Sequence, residues 1–134
     1  MITGIKINKV EARRDSESEI IGLNINITID SLNVKNNQIE IGFTYSAAYT
    51  EGVGELKMSG ILYATEEAKL AKEISDKWVK EKRLPDAYAE MVLNALNYAC
   101  GTNGVFAVRI VNLTPPIVPP KITLNPQPPQ QPKK

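Results

Sequence analysis

Residues 53–82 read VGELKMSGILYATEEAKLAKEISDKWVKEK, and the pattern changes period half-way along. In the first half Leu56, Met58, Gly60 and Leu62 share one parity, the two-residue repeat of a strand. In the second half Leu70, Ala71, Ile74 and Trp78 fall on one helical stripe. Thr65 reads as the cap between them, with Glu66 and Glu67 placed to favour the helix dipole. A strand therefore hands over to a helix that runs to about Lys82. Ile61 and Tyr63 are apolar on the opposite parity, so the end of this strand is expected to meet something besides the local core.

Upstream, three more segments read as strands. In residues 38–49, Ile39, Ile41, Phe43 and Tyr45 face one way while Glu40, Gly42, Thr44 and Ser46 face the other. In residues 20–32, Leu23, Ile25, Ile27 and Ile29 alternate with Asn24, Asn26, Thr28 and Asp30. Alternation this regular marks a sheet with one wet face. The turn signal VKNN between the two segments implies an antiparallel hairpin. Residues 5–13 hold Ile5 and Ile7 on one parity and Val10 and Ala12 on the other, which a bulge near Asn8-Lys9 reconciles.

Downstream, Leu84-Pro85 breaks the first helix and Pro85 suits the first turn of a second. Residues 85–100, PDAYAEMVLNALNYAC, are apolar almost all the way round. A short chain has little interior in which to cover such a helix on every side. Tyr88, Met91, Val92, Ala95, Leu96 and Ala99 are therefore expected at an interface with a second subunit. Gly101 reads as the helix stop, and the Val and Ile content of residues 105–113 predicts a short extended stretch. Eight prolines follow Thr114, so residues 115–134 read as an extended or disordered tail on a single domain of residues 1–114. The fold class is α+β: a four-stranded antiparallel sheet followed by two helices packed on one face.

Composition narrows the function. The chain has 134 residues and a formal net charge of +1, which gives no global field for nucleic acid or an anionic membrane. No segment reaches the length of a membrane span, and residues 1–17 lack the regions of a signal peptide, so a cytoplasmic location is expected. The chain contains no histidine, which removes the commonest general base and zinc ligand. Its one cysteine, Cys100, lies on the apolar helix and reads as a buried structural thiol. Asp86 and Glu90 share a helix face without further ligands, so neither a metal nor a cofactor is expected. No phosphate-binding, nucleophile-elbow or metalloprotease motif occurs, and the chain is read as a non-enzyme.

One resemblance ties these features together. Leu84-Pro85-Asp86-Ala87-Tyr88-Ala89-Glu90, then Cys100-Gly101-Thr102, then Val111-Asn112-Leu113-Thr114-Pro115 are similar to short elements of the SecB family of protein-export chaperones. The order of four strands and then two helices also resembles that family. The resemblance implies helix-mediated assembly into dimers or tetramers and the binding of unfolded polypeptide clients without ATP. Family members are acidic and contact the export ATPase SecA, whereas this chain is near neutral, so no partner-binding residue is carried over. Ile61, Tyr63 and Trp78 are the expected client contacts, being apolar where the core pattern does not require it. The competing expectation is a non-enzymatic adaptor or assembly protein that binds one specific partner and displays its proline tail as a docking peptide.

Overall fold

The computed structural model describes residues 1–116. Strands β1 (Ile2–Arg14), β2 (Leu23–Lys35), β3 (Gln38–Tyr49) and β4 (Gly54–Thr65) form one antiparallel sheet in the order β1-β4-β3-β2. Helices α1 (Ala68–Glu81) and α2 (Asp86–Ile110) follow, as the change of period predicts. The tail expected over residues 115–134 falls outside the described residues, apart from exposed Pro115 and buried Pro116.

The central strands carry the core. Ile39, Ile41, Phe43, Tyr45, Ala47 and Tyr49 of β3 are at most 2% exposed, as are Leu56, Met58, Leu62 and Ala64 of β4. Ala71 and Ile74 of α1 and Val92, Leu96, Cys100 and Val108 of α2 close over that face. Each fully buried Val, Leu, Ile, Phe or Met side chain contributes roughly 1.5–3 kcal/mol.

The bulge expected in β1 is present: the register shifts between Ile7 and Lys9. It keeps Ile5, Ile7, Val10 and Ala12 opposite Leu62, Gly60, Met58 and Leu56, all on the helix side. The β1 register shifts again between Ile2 and Gly4, and that of β2 shifts between Ile29 and Ser31. The Ile7/Lys9 and Ile29/Ser31 bulges each face a glycine of a central strand. A Cβ on Gly60 would sit 2.0 Å from the Lys6 carbonyl oxygen, and one on Gly42 would sit 2.2 Å from the Ser31 hydroxyl. At Gly60 the extra residue leans the β1 backbone over its neighbour and only hydrogen fits beneath it, whereas at Gly42 the close atom is a side-chain hydroxyl that can rotate away.

Three expectations are corrected. Thr65 does not cap α1. It stays in the ladder opposite Gln38, and the Glu66 N–H donates to the Asn37 carbonyl, which postpones the helix until Ala68. Gly101 does not stop α2, and residues 105–113 are not extended. Helix continues to Ile110 because Gly101 and Gly104 are buried contacts with the core rather than breaks. A Cβ on Gly104 would lie 2.8 Å from Leu56 Cδ2 and 3.0 Å from Pro116 Cγ. The stop comes at Asn112, whose φ of 59° is left-handed, with the Leu113 N–H donating to the Val108 carbonyl. The Arg14 guanidinium donates to the Asn112 carbonyl and to Ser16 O and Ser18 O, tying the β1–β2 loop to that helix end.

Four buried acids, Cys100, Tyr45, Tyr49 and Tyr88, bear on stability, each pushed up first by burial. Burial pushes the Cys100 thiol from 9.0 up to about 11. Burial, and then the neighbouring Cys100 and Tyr49, push Tyr45 from 10.0 up to about 12. Folding thus favours the neutral forms of Cys100 and Tyr45, so their contribution is complete below about pH 9 and is lost as pH rises through about 9 to 12. The urea midpoint is expected to be flat from about pH 7 to about pH 9 and to fall above it, as the unfolding free energy loses up to about 1.4 kcal/mol per pH unit for each group. A midpoint unchanged up to about pH 11 would contradict this burial.

Candidate functional site

The geometry of α2 decides which surfaces remain available. Tyr88, Val92, Leu96, Cys100, Gly104 and Val108, all buried, recur every fourth residue. With 3.6 residues per turn, each such step rotates about 40° around the axis. The buried line therefore winds around the helix as it crosses the sheet. This accounts for a helix that is apolar nearly all round within a single chain. It also corrects the interface expectation, because Tyr88, Val92 and Leu96 are covered by their own sheet and have no surface left for a partner. Tyr88 donates its hydroxyl to Glu66 Oε2 at 3.0 Å, and burial followed by that carboxylate pushes its pKa up. Of the six expected positions, Met91 is exposed and Ala95 and Ala99 are half-buried. They share a free stripe with Tyr98, which is 76% exposed.

That stripe leads into an apolar groove at the end of α2. Phe106 and Ile110, 71% and 83% exposed, stand at its rim, with Ala107 behind them. Ile7 and Val10 of β1 and Met58 of β4 form the opposite wall, and Asn103 is the one polar lining residue. The groove encloses about 410 Å³ and contains no titratable side chain. Val10 lies on the inner face opposite Met58 and is nevertheless 52% exposed, because no part of α2 covers it.

The predicted client contacts do not converge. Ile61 and Tyr63 are half-buried on the outer face of the sheet, away from the helices. Lys6 and Gly42 flank Ile61, and Gly4 and Glu40 flank Tyr63. Tyr63 borders a polar hollow of about 210 Å³ with Thr3, Gln38, Glu40 and Thr65. Trp78 lies on α1, packed against the core, with Lys82 Nζ 5.7 Å from its ring centre. The sheet separates the first two residues from the third.

The local preference of residues 105–113 for extended structure hides Phe106 and Ile110 as groove residues. Continuing the helical period past Gly104 was the signal that finds them, since Phe106 and Ile110 follow Thr102 at four-residue steps.

Among the described residues no group of three or more Cys, Asp or Glu side chains gathers as a metal would need. No described helix is long and apolar enough to cross a membrane. Comparison with family models, with characterised proteins and with solved structures found no match.

Proposed function

We propose that this chain is a SecB-like, ATP-independent chaperone that holds non-native polypeptides in the cytoplasm and works as a homo-oligomer. The observation that carries the reading is the groove between β1 and the end of α2: open, apolar, and without a titratable group. Such a surface takes aliphatic and aromatic side chains of any sequence, which is what an unfolded client presents. It offers no array of hydrogen-bonding groups that would select one folded ligand.

The neighbouring edge strand fits this role. β1 carries Lys6, Lys9, Glu11, Arg13 and Arg14, together with the bulge at Ile7/Lys9. Charges and bulges discourage strand-to-strand association along an edge. A client is therefore held by its side chains in the groove and not as an added strand on β1. Met91 and Ala99, with Tyr98, are assigned to contact between copies, with Ala95 at the border of the chain's own core, because they form an apolar stripe on the open side of α2.

The test is aggregation of a chemically denatured client on dilution. Full-length protein at equimolar ratio is expected to suppress light scattering without nucleotide. No suppression at several-fold excess would remove the reading.

A further inference from the structure

The inner face of β2 is incompletely covered. Leu23, Ile27 and Ile29 are half-buried and Ile25 is 37% exposed, although their partners on β3, Tyr49, Tyr45, Phe43 and Ala47, are at most 2% exposed. α1 starts at the Asn37 end of the β2–β3 hairpin, where the Glu66 N–H donates to the Asn37 carbonyl. α2 ends over β4 and β1. Neither helix closes the strip from Leu23 to Ile29.

The chain itself heads for this strip. After α2, Leu113 lies over β4, 3.1 Å from where a Cβ on Gly54 would stand. The Tyr49 hydroxyl of β3 donates to the Thr114 carbonyl, and Pro116 is buried beside Gly104. The path has moved from β4 to β3, and β2 is next in the sheet, with Leu23 paired to that same Tyr49. Pro116 does not line the groove between β1 and α2. Residues 117–124, IVPPKITL, follow outside the described residues. They hold every Ile, Val and Leu of the tail, at Ile117, Val118, Ile122 and Leu124, while residues 125–134 have none. A tail that only needed solvation has no use for them. Eight residues of extended chain span about 25 Å. That covers one inter-strand step of about 5 Å and the roughly 20 Å from Leu23 to Ile29. Pro119 and Pro120 carry no N–H, so the segment suits a face, which takes side chains, and not a ladder.

We propose that residues 117–124 lie across the inner face of β2 of their own chain, with Ile117, Val118, Ile122 and Leu124 covering Leu23, Ile25 and Ile27. Tethering gives the segment an effective concentration of roughly millimolar, which an apolar segment of another molecule at micromolar concentration does not match. The tail is thus the resident ligand of this strip and keeps it from outside partners. The strip lies at the β2 edge, away from the groove on β1, and the assignment stands whether or not the chain is a chaperone.

Thiol labelling tests the assignment. Ile25→Cys reports on the strip, Val10→Cys reports on the groove, and the native Cys100, fully buried, reports on unfolding. Ile25→Cys is expected to react slower by about tenfold or more in the full chain than in a chain ending at Pro116, at a rate independent of protein concentration. Val10→Cys is expected to react equally fast in both. Replacing Ile117, Val118, Ile122 and Leu124 by serine in the full chain should speed Ile25→Cys as truncation does. This variant decides the matter if truncation unfolds the protein and exposes Cys100. Equal Ile25→Cys rates with and without these side chains overturn the proposal. So does a truncation that speeds Val10→Cys instead, which would seat the tail in the groove. Labelling of Ile25→Cys that accelerates on dilution overturns it too, since the tail of a second copy would then be the cover.

Discussion

Gly60→Ala is expected to destabilise the protein by about 3 kcal/mol or more. Glycine inside a strand is ordinarily a weakness, and alanine there relieves about 0.5–1 kcal/mol of chain entropy. Here the sign reverses. The new Cβ would lie 2.0 Å from the Lys6 carbonyl oxygen and 2.9 Å from Ile7 Cα, and both are backbone atoms held in the β1–β4 ladder. No side-chain rotation relieves such a contact. β1 has to lift away from β4 at its bulge, which breaks ladder hydrogen bonds and uncovers Ile5 and Ile7. Gly4 supplies the control, since a Cβ there meets nothing within 4 Å. Gly4→Ala should leave the urea midpoint unchanged or slightly raised, while Gly60→Ala lowers it sharply and deprotects β1 amides in hydrogen exchange. Equal midpoints for the two variants would show that the bulge does not press on Gly60.

Replacing Phe106 and Ile110 together by glutamine is expected to weaken client holding by more than tenfold while leaving thermal stability within about 0.5 kcal/mol. Both side chains are more than 70% exposed, so the fold loses little buried surface. Glutamine also keeps good helix propensity at the end of α2. Binding a client, by contrast, buries these two side chains, and each contributes roughly 1.5–3 kcal/mol when fully removed from water. The readout is the ratio of chaperone to client that halves aggregation. Suppression unaffected by the double substitution would exclude the groove as the holding surface. A changed solution mass with unchanged suppression would make Phe106 and Ile110 subunit contacts.

Several parts of the molecule were legible in the residues. The alternation in 23–29 and 39–45 gave β2 and β3 with the right faces inward, and the parity change between Ile7 and Val10 gave the β1 bulge. Those signals are local, because each strand repeats its own period whatever lies beside it. The end of α2 was not legible. Gly101 and the run of Val and Ile after Gly104 favour a stop and a strand on local preference, but the buried Gly104 lets the helix pass close over Leu56, and the period continues. The groove is hidden from the sequence for the same reason, since Phe106 and Ile110 lie on a segment whose local preferences give the wrong period. Ile61 and Tyr63 were correctly set on the outer face of β4, yet nothing local shows that their strand neighbours are Lys6, Gly42 and Glu40.

From its sequence alone, then, the chain declares four strands, two helices, their inward faces and the absence of a histidine-based chemistry. These follow from side-chain order along the backbone, which repeats at 2.0 or 3.6 residues regardless of context. Only the tertiary structure decides which apolar residues stay uncovered. Exposure depends on where α2 crosses the sheet: its buried line rotates steadily around the axis, closing over Tyr88, Val92 and Leu96 and leaving Phe106 and Ile110 beside Val10 open to solvent.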